Sequence, residues 1–535
     1  MSVDQPQSTD FTGTNSRRQS GSFRWPALEF IRIARLERSW PYMLISIAVL
    51  CLRWSTLSNN LLSFDEPGYF AQATRLRSIS SFVFAYQYRT ETKTQVGLVP
   101  YLVAELLDQR NAVLLLHIFG ILAALATCFL LISFSRRFLN STIFGFVAAL
   151  IWSVYLVAGP SSQFNVLDVR AEFLVPLLEY FQAPFILLGL YMFMIKASDV
   201  DPRSSGKALV VSGAMWGVAM LIKPSVALIG PLYMVVLMIS GGFLMSRMKT
   251  GGVVRAWGQF LLGASIPVVL VLGPYLFNPD ALSELKFNLI DLNSKYSQGG
   301  SIADRASELL RGIPAIIKYL FVLLPPLVLL MARQRKFRWR EANLALVVVL
   351  LSAVALFVSA LPGHAYLHYL ISVMPMVTLA VVSYLGVALR WLAERGWSRL
   401  AIASALALSL FYFLPQVPAL RVAVTLGHTD YYADGDRKLY DLDGLINYID
   451  SHSQPDEKIW VYYNASEIYG LSNRPPATRD PEAAYLTQYW EEPWFARAKN
   501  DLIADQPRLV IGIKEPLWPT PDAQPLDKIP LVSDW

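Results

Sequence analysis

The stretch Ala112-Val-Leu-Leu-Leu-His-Ile-Phe-Gly-Ile-Leu-Ala-Ala-Leu-Ala-Thr-Cys-Phe-Leu-Leu-Ile-Ser-Phe134 is followed at once by Ser135-Arg136-Arg137. About 20 mostly apolar residues suffice for a helix to cross a bilayer, and this run meets that length. Roughly ten further runs have the same character: 39–55, 141–160, 175–196, 208–222, 224–245, 256–277, 312–332, 342–361, 369–389 and 399–415. The first of these has a short apolar core, Trp40 to Leu52, and reads as an uncleaved signal anchor. Over all 535 residues, 54% are hydrophobic and only 16% charged, which puts the bulk of the chain in lipid.

Orientation follows from the cations, because cytoplasmic loops carry the excess of Lys and Arg. Alternate loops hold Arg32, Arg35 and Arg38; Arg136 and Arg137; Lys196 to Lys207; Arg247 to Arg255; the cluster from Arg333 to Arg340; and Arg390 to Arg399. The opposite set then faces outward: 56–111, 161–174, the turn at Lys223, 278–311, the link around His364 and everything after Pro415. The expected architecture is an α-helical polytopic protein of the cytoplasmic (inner) membrane, with about eleven transmembrane helices and a C-terminal soluble α/β domain outside the membrane. Its parts are a disordered cytoplasmic tail over 1–38, a transmembrane domain over 39–415 with a long first outer loop 56–111, and an outer domain over 416–535. In that domain 437–452 and 480–504 read as helices, and 458–463 and 508–513 as strands suited to parallel pairing.

The net charge of +6 is small, and the cations are dispersed between apolar runs, which argues against nucleic acid as a partner. Cys51 and Cys128 both sit inside apolar segments and build neither a disulfide framework nor a metal site. Asn464-Ala-Ser466 matches a glycosylation sequon, which carries no meaning in a bacterial host.

Chemistry concentrates at the outer ends of the spans. Asn60-Leu-Leu-Ser-Phe-Asp65-Glu66-Pro67-Gly68-Tyr69 predicts a surface helix capped by its acidic pair. The same pair at a headgroup surface is also where a general base would act on a lipid-linked substrate. Lys93 precedes a second apolar stretch, 96–107, too short to span; its ammonium either snorkels at the interface or holds a phosphate. Asp168, Arg170 and Glu172 alternate just before a span and suggest either a structural ion pair or a polar pocket. Lys223, before Pro224, breaks an apolar run and must reach an interface or a cavity, adding a cation on the outer side. His364 and His368 are one helical turn apart, a metal-ligand spacing without a third ligand, so substrate hydrogen bonding together with Tyr366 is the expected role. No metal site is assigned.

The order of these features resembles the GT-C superfamily of polyprenyl-phosphate-sugar glycosyltransferases, on the side of the protein O-mannosyltransferases and the lipid A aminoarabinose transferases. The residues that carry the resemblance are the Asp65-Glu66 pair, Lys93, Gly217-Val-Ala-Met-Leu-Ile-Lys223-Pro224 and His364-Ala-Tyr-Leu-His368-Tyr-Leu-Ile-Ser-Val-Met-Pro375. The tail stretch from Ile459 to Arg479 adds to it, so the likeness runs over about 40–480. It implies an inverting transfer of a sugar from a polyprenyl-phosphate donor to the hydroxyl of a lipid, polysaccharide or protein acceptor. Asp65 would take the acceptor proton, Glu66 would sit beside it as a contact, and Lys93 would meet the departing lipid phosphate. No cofactor is required and a divalent metal is optional. The competing readings are a transporter or lipid-binding membrane protein, which would place ionisable groups at the bilayer midplane, and a glycan ligase with a diphosphate-linked donor, which would need more outer arginines.

Overall fold

The computed structural model describes residues 26–57, 65–88, 93–139, 142–158, 176–198, 205–244, 250–294, 348–355, 358, 370–397, 442–462, 466–479 and 492–512, with scattered positions between 399 and 414. The expected span 312–332 lies outside the described residues, as do Asp168, Arg170, Glu172, His364, Tyr366 and His368.

Helix α1 (Pro26–Arg53) begins well before the expected start at 39, so residues 26–38 of the expected tail are helical; Pro41 lies inside it. After α1 come four short helices of the long first loop: α2 (Asp65–Thr74), α3 (Ile79–Val83), α4 (Ala85–Tyr88) and α5 (Val99–Leu107). Each start has a local cause. Pro67 sits in the first turn of α2, where the backbone N–H that proline lacks would have had no partner within the helix. A capping box of Ser78 and Ser81 opens α3. Pro100 sits in the first turn of α5.

The long helices follow the expected runs closely: α6 (Ala112–Phe138), α7 (Thr142–Ala158), α8 (Leu178–Ser198), α9 (Ser205–Ile222), α10 (Ile229–Leu244) and α11 (Thr250–Leu272). Arg136 and Arg137 fall in the last turn of α6, where cations complement the helix dipole. Helix α9 stops at Ile222 because the next residue, Lys223, precedes a proline and is driven to extended backbone (φ −149°, ψ 115°). Helices α12 (Pro279–Lys286), capped by Asn278, and α13 (Met374–Glu394) follow. Among the described residues, three helices are long and apolar enough to cross a membrane, at Ala112–Phe138, Leu178–Ile195 and Val254–Phe277.

Trp152, Phe134 and Tyr180 are fully buried where α1, α6, α7, α8 and α13 pack together. Helices α9 and α11 touch backbone to backbone. A Cβ on Gly213 would lie 2.0 Å from the Phe260 carbonyl oxygen, and one on Gly263 would lie 2.0 Å from that of Val210. The other face of α11 is bare and apolar, with Leu270 73% exposed, as a lipid-facing helix should be. A separate cluster built from Tyr69, Phe70, Tyr101, Leu116, Leu178 and Ile222 seats α2 and α5 on the ends of α6, α8 and α9. Each fully buried aromatic there contributes roughly 1.5–3 kcal/mol.

The C-terminal unit contains α14 (Leu442–His452), β1 (Ile459–Tyr462), α15 (Glu467–Ser472), α16 (Glu492–Asp505) and β2 (Leu509–Gly512). The strands pair in parallel, Ile459 with Leu509 through Tyr462 with Gly512, the pairing their sequence suggests. Ala71 of α2 joins Ile449, Ile459, Ile468 and Tyr469 in one apolar cluster, which docks this unit on the first loop.

Candidate active site

Asp65 is the first residue of α2, near the start of the long first loop. Glu66, the next residue, turns inward. Its side chain is fully buried, and its Oε1 lies 2.8 Å from His117 Nε2 on α6, itself 1% exposed. A buried carboxylate needs such a partner, because an unpaired one would cost several kcal/mol. The pair pins the first turn of α2 to a long helix, so Glu66 holds the position of its neighbour.

One turn further on, Tyr69 is buried and accepts a hydrogen bond of 2.5 Å from the Lys93 ammonium, which also lies 4.5 Å from the centre of the Tyr69 ring. A phenol that accepts from an ammonium can pass its own proton onward. Tyr69 packs edge-on against Tyr101 at 5.3 Å between ring centres, and Tyr101 donates to the Pro176 carbonyl at 3.2 Å. Lys93 is anchored through its backbone as well, since Tyr86 donates to its carbonyl at 2.9 Å. The next residue, Thr94, donates through Oγ1 to the Leu221 carbonyl at 2.5 Å. Gly97 is required a little further along, because a Cβ there would lie 2.8 Å from the Ile222 carbonyl oxygen.

Those contacts bring the Lys93 segment onto the end of α9, beside Lys223. Lys223 is buried and ion-paired to Glu179 of α8, and Gln182 donates to the carbonyls of Ala219 at 2.7 Å and Lys223 at 3.0 Å. The structure therefore gives the Lys223 ammonium a carboxylate within the protein, and the pair ties α8 to α9 beneath the Lys93 segment. Nearby, Arg53 at the end of α1 donates to the Leu156 carbonyl at 3.1 Å and stacks 4.8 Å over the Tyr180 ring.

Of the residues singled out from sequence, then, Asp65, Glu66, Lys93 and Lys223 fall in one neighbourhood. Asp168, Arg170, Glu172, His364, Tyr366 and His368 lie outside the described residues. His117, Glu179 and Tyr69 were given no role by the sequence. The signal for His117 and Glu179 was present, as ionisable residues inside apolar runs, where such groups are expensive unless paired. Among the described residues no group of three or more His, Cys, Asp and Glu side chains could hold a metal ion.

No protein-family model matches the chain, and no curated protein sequence matches it. Among solved structures it is similar to ArnT from Cupriavidus metallidurans in the apo state, with 15% identity and a TM-score of 0.54 over 85% of this chain and 89% of that one. It is equally similar to the same protein bound to undecaprenyl phosphate, with 14% identity and a TM-score of 0.54 over 85% and 92% of the two chains. The archaeal oligosaccharyltransferase AglB from Archaeoglobus fulgidus, solved with an inhibitory peptide and a dolichol-phosphate, superposes with a TM-score of 0.47 at 12% identity, over 88% of this chain and 68% of that one.

Proposed function

We propose, from the premise that this chain has the GT-C fold of the ArnT structures, that it is a membrane glycosyltransferase. In this reading it moves a sugar from a polyprenyl-phosphate-linked donor to a hydroxyl acceptor at the outer face of the cytoplasmic membrane, with inversion at the anomeric carbon. The acceptor hydroxyl attacks that carbon while Asp65 takes its proton, and the bond to the lipid phosphate breaks. Negative charge grows on the departing phosphate oxygen, so a fixed cation there stabilises the transition state more than the ground state.

The observation that carries the reading is the Lys93–Tyr69 contact one helical turn beyond Asp65, which puts an anchored cation next to the acidic end of α2. It is supported by the undecaprenyl phosphate found in an ArnT structure of the same fold. Glu66, held by His117, serves as a positioning group for Asp65. Glu179 and Lys223 support the platform on which Lys93 rests. Asp168, Arg170 and Glu172 would line the donor pocket, and His364, Tyr366 and His368 would hydrogen-bond the sugar or the acceptor. The residues of α2 would need no cofactor for this chemistry, and a divalent metal would be optional.

The test replaces Asp65 by Asn, confirms wild-type amounts in the membrane, and compares envelope glycans by mass spectrometry with wild-type and deletion strains. Loss of the same sugar in the Asp65→Asn and deletion strains is expected. If the variant keeps a sugar that the deletion loses, Asp65 is only a helix cap and the mechanism fails.

A further inference from the structure

A cavity of about 960 Å³ lies between the first loop and the C-terminal unit, at the large end of the range for small-molecule sites. Helix α2 forms one wall with Phe70, Ala71, Thr74 and Arg75, the last just past its end. Five basic and four acidic side chains line the space, so which of them are already matched decides its character. Arg77 is paired with Glu105 at 2.5 Å, Lys458 with Asp505 at 2.6 Å, Arg479 with Asp501 at 3.0 Å and Arg474 with Asp450 at 3.3 Å.

Arg75 is different. Its guanidinium donates to two backbone carbonyls, that of Tyr88 at 2.9 Å on the first loop and that of Pro476 on the C-terminal unit. Among the described residues it makes no ion pair. Carbonyls pin the fork in place without neutralising it, and a guanidinium has further N–H groups for a ligand. Burial pulls its pKa down, with only the more distant Asp501, Asp505 and Tyr469 pushing back, so an incoming anion would relieve a cation short of counter-charge. Gln87, Tyr88, Gln109 and Asn473 complete the wall with groups suited to hydroxyls.

We propose that this cavity is a binding site for a phosphorylated, hydroxyl-rich headgroup, with Arg75 gripping the phosphate. The site is separate from the proposed reaction centre. At about 100° per residue, positions 70, 71, 74 and 75 occupy one side of α2, whereas 65 and 69 fall on the other. Ten residues at about 1.5 Å each also put Arg75 roughly 15 Å along the helix from Asp65. The site therefore stands whether or not Asp65 is a catalytic base.

The test uses the full chain in detergent, in a Lys93→Gln background that removes the cation proposed to meet donor phosphate. Glucose 6-phosphate and dihexanoyl phosphatidic acid are titrated, with glucose and dihexanoylglycerol as uncharged controls. Binding of a phosphorylated probe over its control is expected, weakened about tenfold or more by Arg75→Gln. Binding of glucose 6-phosphate would make the phosphosugar sufficient, and binding of phosphatidic acid alone would assign the site to a lipid headgroup. Should Arg75→Gln fail to fold, Thr74→Trp fills the same space while leaving both carbonyl bonds of Arg75, and the same loss is expected. The proposal is overturned if neither phosphorylated probe binds, or if a folded Arg75→Gln or Thr74→Trp protein binds them as the parent does. Retention of phosphate binding in an Asp65→Asn protein that also keeps its glycans would sink the proposed Asp65 mechanism and leave this site standing.

Discussion

Glu66 and His117 are 51 positions apart in the chain and 2.8 Å apart in space, and neither reaches solvent. His117→Ala removes one partner of a buried pair, which destabilises by about 3–5 kcal/mol when the remaining group stays charged. Thermal unfolding in detergent should show that loss, and His117→Ala with Glu66→Ala should recover part of it. Tyr69→Phe is the gentler probe. It keeps the ring against Tyr101 and the cation–π contact but removes the hydroxyl that accepts from Lys93. Transfer activity is expected to fall by about tenfold with little change in the unfolding midpoint, the mark of one lost charge-assisted hydrogen bond. A third residue responds to pH. Burial holds the Glu105 carboxyl above its ordinary range, against the hydrogen bond and charge of Arg77. An acid whose pKa is raised by folding binds its proton more tightly in the folded state, so stability declines as pH climbs through the unfolded value toward the folded one. As pH rises past the ordinary glutamate value of about 4.3, the wild-type midpoint should therefore lose ground relative to Glu105→Gln. Asp65, Glu66 and Lys93 were legible at this scale because charge beside an apolar run stands out. Their partners were not, since a hydrogen bond between α2 and α6 depends on how two helices dock.

At the scale of elements, α9 shows what the sequence carries and what it hides. Its end is written locally, in Lys223-Pro224, and the helix stops at Ile222 as that dipeptide requires. The fate of the Lys223 side chain is not local. Read as a cation on the outer side, it lies buried against Glu179 and joins α8 to α9. Glu179→Gln should destabilise by about 3–5 kcal/mol in thermal unfolding by removing the carboxylate charge from a buried ion pair, and adding Lys223→Met should restore much of that. The opposite wall of α9 depends on Gly213, where a Cβ would strike the Phe260 carbonyl of α11. Gly213→Leu forces the two helices apart and should lower stability by about 1–3 kcal/mol or more, measured in the same assay. Glycine in an apolar run announces neither its partner helix nor the closeness of the approach.

Across the whole molecule, Glu284 of α12 receives Arg479 at 3.4 Å and Arg497 at 2.5 Å from the C-terminal unit, and the Arg497 guanidinium lies 3.7 Å over the Phe287 ring. Glu284→Gln should loosen that unit and speed its release by limited proteolysis, with helices α6 to α9 staying protected. The sequence by itself determined the helical membrane class, the positions of the long helices it shares with the structure, the parallel strands near the C-terminus and the acidic pair in the long first loop. Each of these rests on short-range regularity: apolar runs of bilayer length, proline at helix boundaries, alternation in strands. Only the tertiary structure decided that α1 runs back to Pro26, that Glu66 is spoken for by His117 and Lys223 by Glu179, and that the C-terminal unit closes a cavity over α2. Those outcomes turn on which distant side chains meet after packing. A buried charge states in sequence only that it needs a partner, and the energy of burial decides which partner it finds once the helices are in place.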